Sequence, residues 1–369
     1  VRVCIVGGGL AGAMLAWRLV HATSGWHVEL FTGAASRADA TGASGGAVRA
    51  FEDHPGQRRL ATTSMVELLG SRTLREWAAF RPAPFVSLRP AADGLAAAVA
   101  DIELMLPGSA AVAGAAELAE LGWALPDRPA TAAVVERRAG YTSPGRWRDA
   151  VLLDARRGVS VLDASVAALT PRGDGTVAVT AAGRDAPRPG AVYDVVVIAA
   201  GAWTPGLLRA CGLPVAGMRS KSIQYAVHPA GDWCPPQFAD EVTGLYGRPT
   251  ADGGMLLGLP TQCWDVDPDR PPTTPALLDT AAELAAGFFP RLRLGPATVR
   301  VGSADCYAEQ PILCIRSVIG AEHRLFTFSG GAGSSVKTAL AASHRAAIQL
   351  VETGDRNELT SVGRRKGQP

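Results

Sequence analysis

Three glycines near the start, Gly7-x-Gly9-x-x-Gly12, stand at the spacing that cradles a pyrophosphate. The first permits a tight turn, the second lets backbone approach a phosphate, and the third lets a helix pack closely on the preceding strand. Leu10 and Ala11 then open a helix whose free N–H groups and partial positive charge face that phosphate. A ribose next to it is normally gripped by an acid at the end of the second strand. Thr32 holds that position here, and its neutral hydroxyl bonds a ribose less strongly than a carboxylate would. Other reactive residue types point nowhere so sharply. The six cysteines form no CxxC pair and no Cys/His cluster with zinc spacing, so they read as reduced, mostly buried thiols. Asp265-Val266-Asp267-Pro268-Asp269 lacks the glycine and closing glutamate of a calcium loop and reads as a solvated loop. His54 and His228 are possible bases that no spacing singles out.

The elements that must position this turn are plain. Val1–Val6 is an apolar strand ending at Gly7. Residues 11–22 carry a helical apolar stripe through Met14, Leu15, Leu19 and Val20, and Trp26–Gly33 reads as a second strand. A Gly-rich stretch, 41–49, precedes a long helical region over 57–79. Residues 81–140 give only weak strand signals. A helix over 146–157 and a strand over 158–162 follow, then strands at 176–180 and at 194–200, the latter an apolar run of the kind buried in a parallel sheet. Short strand-like pieces between Pro and Gly over 214–320 predict a more antiparallel sheet. A strand at 324–328, a Gly/Ser loop and a helix over 335–351 close the chain. Pieces of a nucleotide-binding sheet thus occur at the start, middle and end, with a different sheet inserted between them.

Length and composition bound the rest. The 369 residues are enough for two domains, and 47% hydrophobic against 19% charged is ordinary for a chain with a large core. A net charge of +2 is too near neutral to argue for nucleic acid or an anionic membrane, and the one basic run, Arg364-Arg365-Lys366, lies in a polar tail. No uninterrupted apolar stretch reaches the length of a membrane span, and the opening residues form a strand rather than a signal peptide, which points to the cytoplasm.

Four segments resemble the FAD-dependent D-amino-acid, glycine and sarcosine oxidase family: Val3–Gly12; Ala43-Ser44-Gly45-Gly46-Ala47-Val48-Arg49; Asp194–Ala200 running on into Gly201-Ala202-Trp203-Thr204-Pro205; and Phe328-Ser329-Gly330-Gly331-Ala332-Gly333-Ser334-Ser335-Val336-Lys337. Their order and spacing match across nearly the whole chain. The resemblance implies an α/β fold in which a Rossmann-like, glutathione-reductase-type FAD-binding domain (1–60, 140–212 and 320–369) is interleaved with a mixed, mostly antiparallel substrate-binding sheet domain (61–139 and 213–319). It implies non-covalent FAD held by Gly7, Gly9, Leu10, Ala11, Gly12, Thr32, Ser44, Gly45, Val166, Gly201, Trp203, Gly333, Ser334, Ser335 and Val336, with Val166 at the adenine end. A helix N-terminus at 333–336 would stabilise negative charge on the reduced flavin.

The resemblance further implies that Arg49 and Lys337 together hold a substrate carboxylate. The plain alternatives are a structural ion pair for Arg49 and a solvated helix position for Lys337. Only three lysines occur, Lys221, Lys337 and Lys366, which makes a lysine in that loop notable. Departures are visible. No arginine stands near Gly302–Tyr307, where one branch of the family has its clamp. Cys306 adjoins Tyr307 rather than preceding it by two, which argues against covalent flavin. Leu256 takes the place of the lysine that helps oxygen accept electrons, and Lys221 is a candidate stand-in from a neighbouring strand. The implied reaction is oxidation of a C–N bond in a small amine or amino acid, free or carrier-bound, with O2 as acceptor. Rivals are a dehydrogenase with another acceptor, a flavin monooxygenase or halogenase, whose later motifs are missing, and a non-enzymatic FAD-binding module.

Overall fold

The computed structural model describes residues 1–33, 39–90, 94–124, 131–318, 324–333 and 335–365. Its first sheet has six strands in the order Cys314–Ser317, Leu325–Ser329, Val195–Ile198, Arg2–Val6, His27–Phe31, Val159–Leu162. All neighbours are parallel except the first pair. Both faces are covered, which explains the unbroken apolar runs. On one face Val3, Ile5, Val28 and Leu30 pack with Leu15 and Leu19 of helix Leu10–Ala22 and with Ala342, Ala346 and Leu350 of the closing helix Ser335–Arg365. On the other, Cys4, Val6, Phe31, Val196 and Ile198 meet Leu169, Val177, Val179 and Tyr193 of a three-stranded antiparallel sheet, Ala164–Pro171, Val177–Gly183 and Ala191–Tyr193.

The second sheet has eight strands in the order Val299–Tyr307, Arg219–Pro229, Gly254–Gly258, Tyr246–Pro249, Gln237–Asp240, Phe85–Pro90, Thr131–Glu136, Ala110–Ala113. Only the pairing of Gln237–Asp240 with Phe85–Pro90 is parallel. The alternation along Arg219–Pro229 is strict: even-numbered residues are buried and odd-numbered ones partly open. Across the register Val227–Leu256–Arg248, the residues Lys221, Ile223, Tyr225, Leu256, Tyr246 and Arg248 therefore share one face. Met255 and Leu257 point the other way, onto Ala281, Ala285 and Phe288 of helix Pro275–Phe288.

Several expectations shift. The long helix over 57–79 is two, Pro55–Gly70 and Arg72–Trp77, broken at Ser71, which takes an extended conformation and accepts a hydrogen bond from Leu74 N–H at 3.2 Å. The weakly patterned 81–140 region supplies three strands of the eight-stranded sheet. Cys314–Ser317, expected in the substrate-binding segment, edges the six-stranded sheet. Among the described residues no helix is long and apolar enough to cross a membrane.

Candidate active site

A cleft of about 1190 Å³ runs from the glycine turn to the open face of the eight-stranded sheet. That exceeds the roughly 300–1,000 Å³ of an ordinary small-molecule pocket and leaves room for a dinucleotide and a substrate together. At one end Gly7 adopts φ +117°, a left-handed conformation that glycine tolerates, and a Cβ there would meet the Ala199 carbonyl. Gly12 lies against the Gly7 carbonyl oxygen, where a Cβ would not fit, so its part is packing; it does not line the cleft. Gly9 opens into the cleft, and a Cβ there would lie 3.1 Å from Thr41 Oγ1. Leu10 N–H donates to the same Oγ1 at 2.9 Å.

The remaining residues expected around a cofactor follow the cleft wall. Leu10, Ala11, Thr32, Ser44, Gly45, Val166, Gly201, Trp203, Gly333, Ser335 and Val336 line it, while Ser334 lies outside the described residues. The Thr32 hydroxyl donates to the Leu162 carbonyl at 3.0 Å, which leaves its lone pairs for a ribose hydroxyl. Ser44 Oγ accepts from Gly46 N–H at 3.1 Å and holds the segment before Arg49. Gly333 N–H donates to Asp305 Oδ2 at 3.2 Å, anchoring the loop that leads into the closing helix.

Arg49 and Lys337 do come together, as expected, but on a carboxylate that the sequence did not reveal. Glu52 Oε1 lies 3.2 Å from Arg49 Nη2 and 2.5 Å from Lys337 Nζ, and all three side chains are about nine-tenths buried. Glu136 adds a second buried acid, accepting from Ala50 N–H at 2.6 Å and Phe51 N–H at 2.9 Å. Two cations and two acids thus form a neutral cluster, with the Arg49 guanidinium over the Phe85 ring at 4.8 Å. Burial pushes the Lys337 ammonium below its ordinary range; neighbouring Arg49 adds to this and Glu52 opposes it. Burial likewise raises Glu136. Glu52 thus stands against the two cations that the resemblance assigns to a substrate carboxylate. Arg49 Nη1 is buried with no hydrogen-bond partner among the described residues, a donor left over for a bound group.

Lys221 also faces the cleft, caged by Trp264 and Tyr307 with Nζ at 4.7 and 5.3 Å from the ring centroids. It stands on the strand next to that of Leu256, but not at the paired position. Val227, not Lys221, pairs with Leu256, and six residues of strand separate the two, roughly 20 Å. Burial lowers the Lys221 ammonium and raises the carboxyl of its cross-strand neighbour Asp305. Cys306 is buried and its thiol is pushed up to about 12, mainly by desolvation, which disfavours the thiolate. The acidic run sits on the rim. Asp265 pairs with Arg219, Nη2 to Oδ2 at 2.5 Å, and Asp269 accepts from Trp203 Nε1 at 3.1 Å.

Sequence reasoning missed Glu52, Glu136 and Arg248. Glu52 had a faint signal, an acid three residues after Arg49. Arg248 had a better one: the turn over 250–253 folds a hairpin that must set it opposite Leu256. Glu136 had none, because its role depends on a segment more than 80 residues away.

A glycine cradle on a parallel sheet, joined by one cleft to a second, largely antiparallel sheet carrying cations, defines a dinucleotide-dependent oxidoreductase. The family model described as "FAD dependent oxidoreductase" matches residues 2–347, and the chain belongs to that family. Its fold is similar to that of L-proline dehydrogenase from P. horikoshii (TM-score 0.73, 18% identity, 96% of this chain and 93% of that one). It is equally similar to glycine oxidase from Geobacillus kaustophilus (0.73, 17%, 95% and 95%). FAD-bound L-alpha-glycerophosphate oxidase from Mycoplasma pneumoniae matches as well (0.73, 17%, 95% and 94%). A search of curated proteins found no match. The residues fit FAD: the open backbone at Gly9, the N-terminus of helix Leu10–Ala22 and the orphaned Arg49 Nη1 are what a pyrophosphate and an isoalloxazine would engage.

Proposed function

We propose that this chain oxidises a C–N bond of an amino acid, or of a cyclic or secondary amine acid, to an imine, and passes the electrons to dioxygen with formation of hydrogen peroxide. The observation that carries the reading is the cleft face of the second sheet, where Arg248 and Lys221 stand without a carboxylate partner among the described residues. Cations in a partly desolvated cleft attract an anionic substrate. They also lower the pKa of an amine bound beside them, favouring the neutral form whose lone pair is free to make the C=N bond. Bound FAD supplies the hydride acceptor and, when reoxidised, the two electrons that O2 takes up with protons to give peroxide. The protein's part is to orient the substrate carbon and keep the amine unprotonated. Leu256, Tyr225 and Tyr246 provide the wall against which that carbon is set.

The test is anaerobic mixing of the FAD-loaded protein with a panel of N-methyl, cyclic and primary amino acids, followed by exposure to air. Bleaching of the flavin band by an amine, then recovery with stoichiometric peroxide, is the expected result. Bleaching by 2-hydroxy acids or glycerol phosphate alone would refute C–N oxidation, and recovery only with an artificial acceptor would make the protein a dehydrogenase.

A further inference from the structure

Of the cations around the cleft, Arg49 and Lys337 are already neutralised by Glu52 and Glu136. Arg148 pairs with Asp39 and Asp149. Lys221 sits in its aromatic cage near the rim. Arg248 differs from all of these. It lies mid-sheet, directly across from Leu256, with its guanidinium stacked on the Tyr141 ring at 4.5 Å. Its Nε donates to the Gly45 carbonyl and its Nη1 to the Pro249 carbonyl, the latter at 2.8 Å. Two of its nitrogens thus fix the plane of the fork on neutral acceptors. Nη2 has no partner among the described residues, and no carboxylate pairs with the side chain. Burial lowers the Arg248 guanidinium below its ordinary range, with only partial relief from the two tyrosines and from exposed Asp252. An arginine nevertheless keeps its charge, so this is a desolvated cation with one edge free.

Tyr225 stands on the same face two strands away, across the strand of Leu256, two residues before Val227 in the row Val227–Leu256–Arg248. Tyr246 donates its hydroxyl to the Gln224 carbonyl at 2.6 Å, but the Tyr225 hydroxyl has no partner among the described residues and lines the cleft. Lys221, in its aromatic cage, lies six residues of strand from the Leu256 row; around that row the polar groups left open are a guanidinium edge and a phenol O–H, the donor pair that a carboxylate accepts from.

We propose that Arg248 and Tyr225 bind the carboxylate of the substrate, while Glu52 fills the seat between Arg49 and Lys337 and closes it to substrate. This rests on the reading of the site as an amino-acid oxidase and assigns its specificity to the second sheet. A substrate held there lies between the Leu256 row and Gly45, where an added Cβ would come 3.7 Å from Leu256 Cδ1. The assignment also separates carboxylate recognition from the buried charge cluster, so either can be altered without the other.

The experiment is titration of the FAD-loaded protein with benzoate, a carboxylate that cannot be oxidised, read by the flavin difference spectrum and by calorimetry. Wild type is compared with Arg248→Met, Arg248→Lys, Tyr225→Phe and Lys337→Met. Arg248→Met is expected to weaken benzoate at least about tenfold, the scale of one lost charge-assisted contact. Arg248→Lys should recover part of that loss, and Tyr225→Phe should weaken binding several-fold at unchanged FAD content. A benzoate affinity within about twofold of wild type in Arg248→Met, or its loss in Lys337→Met alone, overturns the assignment. If Arg248→Met does not retain FAD, Arg248→Lys and Tyr225→Phe decide, and wild-type affinity in both overturns it. Failure of this proposal is distinct from failure of C–N oxidation. Amines lacking a carboxylate that bleach the flavin while benzoate does not bind would refute the first and leave the second. Benzoate bound through Arg248 with no amine bleaching the flavin would do the reverse.

Discussion

The two ends of the cleft are built from different materials. The nucleotide end is backbone: Gly7, Gly9 and the first turn of helix Leu10–Ala22, where shape and N–H groups do the binding and side chains mostly keep out of the way. The other end is charge: Arg49 with Glu52, Glu136 and Lys337 from three separate segments, held nearly dry, with Arg248 left open in the same cleft. A backbone site tolerates few substitutions but fails locally. A buried charge cluster fails as a whole, because each removed partner strands the others.

The largest expected effect tests that contrast directly. Glu52→Ala leaves Arg49 and Lys337 buried without their shared acid and should cost about 3–5 kcal/mol of stability. Glu52→Gln, which keeps an acceptor, should cost much less. Denaturant unfolding of both variants checks this, and equal small losses would mean the cluster is not coupled. A smaller effect belongs to the other end. Gly9→Ala meets only Thr41 Oγ1 at 3.1 Å, so the chain should fold and melt normally without cofactor yet bind FAD about tenfold more weakly, roughly one phosphate contact. A loss of apo-protein stability instead would put Gly9 with Gly12 as a packing residue.

The smallest effect is one of pH. Burial raises the Asp305 carboxyl and outweighs its two backbone hydrogen bonds. Its folded pKa therefore lies above the unfolded one. The stability contributed by its protonated form is present below the unfolded pKa and is lost as pH rises through the folded value. Asp305→Asn, always neutral and still able to accept a hydrogen bond, should raise Tm by roughly 1–3 °C at slightly alkaline pH and by less in acid. Equal shifts at both pH values would show that the carboxyl is not strained by its surroundings.

How much was legible in the sequence follows the same division. The glycine turn, the strand 195–198 and the closing helix were readable because strand, turn and helix adjoin in sequence and each carries its own local rule. The break at Ser71 was not, since the apolar period runs through it and only a cap hydroxyl gives it away. The strands within 81–140 were faint because they are short and pair with partners as distant as 237–240. Arg49 and Lys337 were found through the family resemblance, yet their shared partner was not, because charge neutrality inside a cleft is a property of the assembled fold. The distance of Lys221 from Leu256 was hidden for a simpler reason: strand register sets which residues are neighbours, and the register of Arg219–Pro229 against Gly254–Gly258 is set only in the assembled sheet.

One bond pair has a wider consequence. Glu136 belongs to the eight-stranded sheet, yet it grips the Ala50 and Phe51 amides just beyond the segment that leads out of the nucleotide cradle. Parting the two layers like a hinged jaw would strip a buried carboxyl group of both donors, whereas the rim contacts of Asp265 and Asp269 are exposed and cheap to break. Traffic into the cavity is therefore expected past that rim, with the body of the protein acting as a stiff vessel and a short stretch of loop as its stopper.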